Sequence, residues 1–535
     1  MTRLPDHTSR FSPVAALDMP AFLARRAAER GEHPFLIWAP DEGLSTTYSY
    51  ARFTHEVRCI ASGLAARGIG RGDRVLVHLE NSPETLLARL ACAWLGAVCV
   101  ATNAMATGPE LAVLADVAQV RAAITQPAHA DMLASHVPGL DWIVVTETDA
   151  GRAPTHAPAF ADSFASLYGA PMEQRPAEPD LPAMILFTTG TTGRAKAVLW
   201  THENLVFAAT LGALQQRLQQ DDIVQIYLPL FHVVGYSWGV LSTLGAGATV
   251  LLQPKFSASR FWPLALEHKA SVAAQVPFTI GALRKLEVPA QHGFRRWITN
   301  MQMHEDQARY GIDGFSSAWG MTEMVSQPII GDPSIGPLMN GAMGRTSFAY
   351  DLRIADENGR SVEPGGSGEL LIKGTRGRSI FLEYFGEPQQ TADAFDEHGY
   401  FRAGDRVRLN EDGSITFLDR IKDVIKVGGE GVAAGEIEQA ILAVAGVGEV
   451  AVVAGPDEMR GEVPVAFIVR DGDVATPNET LSAQIEAHCA GALARFKQPR
   501  RILFLDALPK VGFGKISKAR LRDMAKAELM REAGE

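Results

Sequence analysis

The chain has 535 residues, too many for one compact core, so several structural units of roughly 100–200 residues each are expected. A formal net charge of −11 excludes non-specific nucleic-acid binding, which needs a basic face, and leaves any anionic ligand to local cations and backbone N–H groups. An apolar share of 47% against 21% charged residues is that of a globular protein rather than a disordered or fibrous one.

In chain order, the opening MTRLPDHTSRFSP has no apolar core of the kind a secretion signal needs. Alternating short apolar runs and helical patterns follow. The pattern predicts strands over 75–79, 98–101, 142–146, 184–187 and 197–200, and a helix over 84–94. Residues 223–254 carry no Asp, Glu, Lys or Arg, a length that could span a membrane. Pro229, Gly235, Gly239, Gly245 and Gly247 interrupt it, however, and Gln225, His232 and Ser237 are polar. It reads as a buried strand (223–228), a loop, a buried helix and a second strand (249–252). Cys59, Cys92, Cys99 and Cys489 form neither a CxxC pair nor a cluster with zinc spacing. Reduced, partly buried thiols in a cytoplasmic protein are therefore expected.

From residue 350 the texture shifts to short strands and frequent glycines, a smaller β-rich subdomain. DRIKD at 419–423 then packs four charges into five residues. Beyond it come a strand over 424–427, a turn at Gly428-Gly429, and a helix with Ile437, Ala440, Ile441 and Val444 on one face. Strands over 450–454 and 463–469 and a helix near 481–493 follow. The fold class expected is α/β: a large N-terminal domain of α/β sheets with the β-rich subdomain (1–419), then a small, mobile α+β C-terminal domain (420–535).

TTGTTGRAK at 188–196 joins two predicted strands. Glycine lets backbone approach a ligand closely, and successive N–H groups in such a turn form an anion-binding nest. Threonine hydroxyls add donors and Lys196 adds a full charge. A phosphate chain matches that chemistry, although the spacing is not that of the P-loop, GxxxxGK[ST]. Taken alone, the stretch reads equally as a polar turn.

Further segments follow in order: SSAWGMTE (316–323), GYFRAGD (399–405), DRIKDVIKVGGE (419–430) and PKVGFGKISKARL (509–521). Together with the first, they resemble the adenylate-forming superfamily of acyl-CoA synthetases, luciferases and peptide-synthetase adenylation domains, over roughly residues 45–522. The resemblance implies an AMP-forming carboxylate–CoA ligase: a carboxylate attacks the α-phosphorus of ATP, giving acyl-AMP and pyrophosphate, and the acyl group then passes to coenzyme A. It implies that Thr188, Thr189, Gly190, Thr191, Thr192, Gly193 and Lys196 hold the β- and γ-phosphates. Ser317, Ala318, Trp319 and Gly320 would line the nucleotide site, with Trp319 in place of the usual tyrosine against adenine. Thr322 would meet the α-phosphate, and Glu323 would help hold Mg²⁺, a hard cation suited to one carboxylate plus substrate phosphates. Asp405 would accept from the ribose hydroxyls, with Arg420 beside it. Lys515 would reach the α-phosphate and carboxylate during adenylation, and Lys422 would be the hinge. After the hinge turns, residues 424–430, with Lys426, Gly428 and Gly429, would face a tunnel for the pantetheine arm. Each position also has a plainer reading: Asp405–Arg420 as a surface ion pair, Lys510, Lys515 and Lys518 as a solvated basic tail.

Several positions depart from the family pattern. Ala195, Ala403, Gly431 and Ala434 replace residues more usual there, and WITNMQMHED (297–306) replaces a glycine-rich loop that borders adenine and acyl pocket. In PLFHVVGYSW the residue after Phe231 is His232, not the aspartate that pairs with an amino-acid ammonium, which disfavours an amino-acid substrate. His232 reads as a pocket border or a packed core histidine. Val233, Val234, Trp238 and Met301 offer apolar walls, so an acid with an apolar body is expected. The 297–306 segment and GRSIFLEYF (377–385) look somewhat like the crotonobetaine/carnitine–CoA ligase branch. ATP, Mg²⁺ and coenzyme A are the implied cofactors, with no nucleic acid, no transmembrane segment and a homodimer as the assembly to test. The alternatives are a free-standing ligase that loads a carrier protein and a non-catalytic acyl- or nucleotide-binding relative.

Overall fold

The computed structural model describes residues 16–156, 158–189, 195–332, 335–427, 430–432, 434–457, 459–472, 477–511 and 515–533. They fall into two compact units, Met1–Leu352 with Ile372–Phe401, and Arg353–Leu371 with Arg402–Glu535. Compactness thus groups residues 402–419 and the excursion 353–371 with the C-terminal part of the chain, whereas the sequence expectation drew its boundary at 419/420.

The first unit is built on two mixed sheets. One has eight strands in the order Glu383–Tyr384, Ala195–Thr201, Pro182–Thr189, Val98–Ala101, Arg74–His78, Ala122–Thr125, Ile143–Val145, Asp162–Ser163. The six from Pro182–Thr189 onward run parallel. The two at the other end are antiparallel to their neighbours. Parallel strands need helical crossovers, and the crossovers cover both faces. That is why Val98–Ala101 is apolar at every position and wholly buried. The crossover before it, helix Pro83–Leu95, carries its own punctuation. The Ser82 hydroxyl accepts from the Thr85 N–H, Pro83 opens the first turn, and Gly96 closes the helix at φ 87°.

The second sheet of this unit has nine strands, Arg345–Thr346, Ile329–Ile330, Gly314–Trp319, Arg296–Thr299, Val272–Ala274, Ile223–Ile226, Thr249–Leu252, Pro34–Trp38, Thr46–Ser49. Its six central strands are parallel. Against it lies a core of Phe261, Trp262, Phe294, Trp297, Tyr310 and Phe315. The charge-free stretch 223–254 becomes strand Ile223–Ile226, a buried π-helix Val234–Leu241, helix Ser242–Ala246 and strand Thr249–Leu252. No helix among the described residues is long and apolar enough to cross a membrane. The four cysteines are unbridged and buried.

The second unit holds most of a four-stranded sheet, Asp351–Ala355, Ser367–Lys373, Phe401–Leu409, Ile415–Arg420. A further sheet joins Glu430–Val432, Ile425–Val427, Gly461–Arg470 and Val447–Asp457, with Arg501–Phe504 parallel to Gly461–Arg470. Alternation along Val447–Asp457 feeds two cores. Val450 and Val452 pack with Ile437, Ile441, Leu481 and Ile485. Ala451 and Val453 pack with Phe467, Leu508, Leu521 and Ala525. Successive side chains of a strand point to opposite faces, so this sheet is closed by helices on both sides. Hairpin Lys510–Val511/Lys515–Ile516 precedes helix Lys518–Ala533, whose Leu521 anchors it in the second core.

Trp297 is fully buried, with ring centroids of Tyr310, Phe294 and Phe261 at 4.6, 5.6 and 5.9 Å. Trp297→Ala is expected to cost about 3–5 kcal/mol, read as a lowered unfolding midpoint of the first unit in a denaturant titration followed by fluorescence.

Candidate active site

The strand that enters the TTGTTGRAK loop and the strand that leaves it are antiparallel partners, with Thr188 opposite Lys196 and Thr189 opposite Ala195. Gly190, Thr191, Thr192 and Gly193 lie outside the described residues, as does the side chain of Thr189. The exit strand Ala195–Thr201 hands directly into helix His202–Gln215 through a capping box. The Thr201 N–H donates to Asn204 Oδ1 (2.9 Å) and the Asn204 N–H donates to Thr201 Oγ1 (3.1 Å). The same two side chains reach sideways. Asn204 Nδ2 donates to the carbonyls of Arg378 (2.7 Å) and Ile380 (2.9 Å), and Thr201 Oγ1 to that of Gly377 (2.5 Å). Residues 377–380 are thereby tied to the strand that carries Lys196.

The next five residues form a strap. Leu382 and Phe385 donate backbone N–H groups to Leu199 and Ala197, while Phe381 N–H donates to the carbonyl of Glu323 (2.8 Å). Tyr384 completes the link with its side chain. Its hydroxyl donates to Glu323 Oε1 at 2.9 Å, and Lys196 Nζ stands over its ring at 4.5 Å from the centroid. Tyr384 and Glu323 are 2% and 3% exposed. Burial, together with the charge on Glu323, pushes the Tyr384 phenol far above its usual range, so it stays a donor.

SSAWGMTE ends a parallel strand and turns out of the sheet. Strand Gly314–Trp319 pairs through Ala318 and Trp319 with Ile330 and Ile329, and Ser317 is buried, its carbonyl accepting from the Gly331 N–H at 2.6 Å. A Cβ on Gly320 would lie 2.6 Å from the Ser326 carbonyl oxygen and 2.9 Å from Trp238 Cζ2, so only glycine fits there. A single 3₁₀ turn, Thr322–Met324, follows. The Thr322 carbonyl accepts from Trp200 Nε1 at 3.0 Å. Val325, just after the turn, has φ +64°, a conformation β-branched residues rarely adopt. It is held by Ser237 Oγ donating to its carbonyl (2.5 Å) and, one residue earlier, by Tyr350 OH donating to the Met324 carbonyl (2.7 Å).

The predicted pocket residues divide by exposure. Val233 and Trp238 are buried, whereas Met301 and His232 are exposed, His232 with Nδ1 accepting from the Val234 N–H at 3.3 Å. His232 is therefore not a packed core histidine. It borders the start of the π-helix, a feature frequent at functional sites. A narrow cavity behind that helix is lined by Val234, Gly235, Trp238, Ala274 and Ile298 among others. The unusual segment 297–306 is fastened to residues 338–342. Gln302 N–H donates to the Ala342 carbonyl and Gly341 N–H to the Gln302 carbonyl, both at 2.8 Å. His304 Nε2 lies 3.0 Å from the Leu338 carbonyl.

In the second unit, Asp405 and Arg420 face each other across the strand pair, with Arg420 Nε 2.9 Å from Asp405 Oδ1. Asp405 is 1% exposed. This is a buried carboxylate with a half-exposed partner rather than an ordinary surface pair. Lys426 is exposed on strand Ile425–Val427, its N–H donating to Glu462 Oε2 at 2.7 Å. Gly428 and Gly429 lie outside the described residues. The side chains of Lys422 and Lys515 do too, although their backbones lie in the turn Ile421–Asp423 and opposite Val511 in the hairpin. The turn is gripped at its end by Arg522, which bonds Asp423 at 2.8 Å. Lys510 and Lys518 pair with Glu449 (2.8 Å) and Glu438 (2.9 Å), so neither is a merely solvated tail residue.

Two residues of the constellation escape sequence reasoning. Tyr384 lies 61 positions from Glu323, and Asn204 looks like any helix-start asparagine. No local pattern reveals either long-range bond. No group of three or more His, Cys, Asp or Glu side chains suited to a metal occurs among the described residues. One buried carboxylate, Glu323, is instead a donor set that would fit a hard ion arriving with nucleotide phosphates, such as Mg²⁺.

A family model for AMP-binding enzymes matches residues 23–385, and one for the AMP-binding enzyme C-terminal domain matches 436–515. Crotonobetaine/carnitine–CoA ligase of Salmonella heidelberg (strain SL476) is 32% identical over 510 residues, covering 92% of this chain and 96% of that protein. ATP-bound MatB from Rhodopseudomonas palustris superposes with a TM-score of 0.82 at 27% identity, covering 95% of this chain and 99% of that one. The anthranilate CoA ligase AuaEII in complex with anthranoyl-AMP shares the fold at a TM-score of 0.85 and 22% identity, covering 98% and 100%. The chain belongs to the AMP-binding enzyme family and is an ATP-using, AMP-forming acid–CoA ligase.

Proposed function

We propose that this enzyme activates a carboxylic acid with an apolar body, forming acyl-AMP and pyrophosphate, and then transfers the acyl group to coenzyme A. The observation that carries the reading is the array in which Tyr384 touches both the Lys196 ammonium (4.5 Å) and the Glu323 carboxylate (2.9 Å) beside the Thr/Gly hairpin. A cation and a carboxylate held by the same buried tyrosine, one at its ring face and one at its hydroxyl, suit a metal–polyphosphate, which offers each its complement.

In this reading Thr188 and Lys196 hold the departing pyrophosphate, and Thr322 meets the α-phosphate. Glu323 holds Mg²⁺, whose chemistry when bound is to neutralise phosphate charge. Trp319 stacks on adenine, and Asp405, with Arg420, takes the ribose hydroxyls. Lys515 brings an ammonium to the α-phosphate for the first half-reaction. A turn at Lys422 exchanges it for the Lys426 strand in the second. Val233 and Trp238 are walls of the acyl pocket, with His232 at its border, and their apolar character supports a non-polar acyl body.

Pyrophosphate release over a panel of fatty, aryl, alicyclic and betaine acids, with and without coenzyme A, tests this. Acid-dependent release and a coenzyme A thioester detected by mass are expected. Release without a thioester would redirect the acceptor to a carrier protein, and no release with any acid would remove the reading. For Lys515→Ala, adenylation should fall roughly 10²–10³-fold, as when a transition-state donor is removed, while thioester formation from supplied acyl-AMP stays near wild type. Stopped-flow assays of the separate half-reactions check this.

A further inference from the structure

Glu323 and Lys196 come from distant parts of the first unit, and a contact from each side chain meets on Tyr384, a residue of the GRSIFLEYF segment to which the sequence assigned no role. We propose that Tyr384 is a positioning residue for the nucleotide site: its hydroxyl orients the Glu323 carboxylate and its ring face orients the Lys196 ammonium, so that one buried side chain sets both charges. This rests on the reading of Glu323 and Lys196 as the residues that handle metal and phosphate.

The side chain has little freedom to do otherwise. Tyr384 pairs with Val198 in the eight-stranded sheet, and its N–H donates to Thr391 Oγ1 at 2.9 Å. Thr391 Oγ1 in turn donates to the Glu387 carbonyl at 2.9 Å. The Phe381 ring packs at 4.8 Å, and Phe381 is itself stacked on Phe395 at 6.1 Å and edge-on to Phe401 at 5.7 Å. Glu323 is gripped twice by the same strap, at its carbonyl by the Phe381 N–H (2.8 Å) and at its carboxylate by Tyr384 (2.9 Å). A phenylalanine would satisfy the packing and the ammonium contact equally well. Only the hydroxyl accounts for the bond to the carboxylate, because a carboxylate accepts and a buried phenol must donate. The two functions of the ring are thus chemically separable.

Tyr384→Phe keeps the ring under Lys196 and removes the donor, whereas Tyr384→Leu removes both. Mn²⁺ binding is followed by the electron paramagnetic resonance of the free ion in the presence of α,β-methylene-ATP. Nucleotide affinity at saturating Mn²⁺ is measured separately, and thermal melting checks that each variant is folded. For Tyr384→Phe, Mn²⁺ affinity should weaken about ten-fold, the scale of a hydrogen bond to a charged group, while nucleotide affinity stays within about two-fold. For Tyr384→Leu both should weaken. Wild-type Mn²⁺ affinity in Tyr384→Phe would overturn the proposal. So would an equal loss of both affinities in Tyr384→Phe, the mark of a purely structural role. The titration needs no acid substrate. A wild-type chain that binds Mn²⁺–nucleotide but releases no pyrophosphate with any acid would therefore sink the proposed reaction and leave the positioning test standing.

Discussion

A site that handles a magnesium–polyphosphate must keep a positive and a negative side chain close together in fixed directions. Left on flexible stems, two such groups would satisfy each other or drift into solvent. In the proposed site a two-residue edge strand would meet the requirement. Strand Glu383–Tyr384 bonds to the strand bearing Lys196, and the residues just before it bond to the backbone of Glu323. The phenol between the charged groups is an acceptable neighbour to each, presenting a π-face to the ammonium and an O–H to the carboxylate. The rest of the local architecture protects that strand. Asn204, at a helix start, uses its spare amide hydrogens to fix the carbonyls of 378 and 380 that lead into it.

The same economy links the phosphate side to the acyl side. Ser237 and Trp238 lie next to each other on the π-helix. The first bonds the carbonyl of Val325 and the second packs where Gly320 has no side chain. Residues 320 and 325 flank Thr322 and Glu323. A change at Trp238 would therefore be felt, through direct contact, by the segment carrying Thr322 and Glu323, which the proposed function assigns to the nucleotide. In the proposed reading the acyl wall and the phosphate segment share one layer of packing, and interiors at crystal-like density transmit displacements rather than absorbing them.

The sequence revealed elements whose determinants are local. Val98–Ala101 and Thr249–Leu252 were readable because parallel strands buried on both faces are apolar throughout and end at glycines or turns. Helix Pro83–Leu95 was expected over 84–94, one residue short at each end, where the Ser82 cap, Pro83 and Gly96 set its limits. Strand ends were less legible. Pro182–Thr189 and Val447–Asp457 run beyond their apolar centres because ladder partners, not apolarity, decide where pairing stops. The π-helix carries no periodic signal, since nearly every residue in it is buried and apolarity cannot mark a face. In the candidate site, Lys196 of TTGTTGRAK and Glu323 of SSAWGMTE meet the same tyrosine, which neither run contains. Tyr384 did not stand out, because nothing near it in sequence distinguishes a tyrosine bonded to a carboxylate 61 positions away. The exposure of His232 and the burial of Asp405 likewise depend on residues remote in the chain.

The left-handed backbone at Val325 carries an implication for engineering. A glycine there would adopt φ +64° without strain, but it would leave empty the space that the fully buried valine side chain fills, so backbone relief and packing oppose each other at position 325. The valine keeps its side chain in the core beside the Thr322–Met324 turn and carries a strained backbone there.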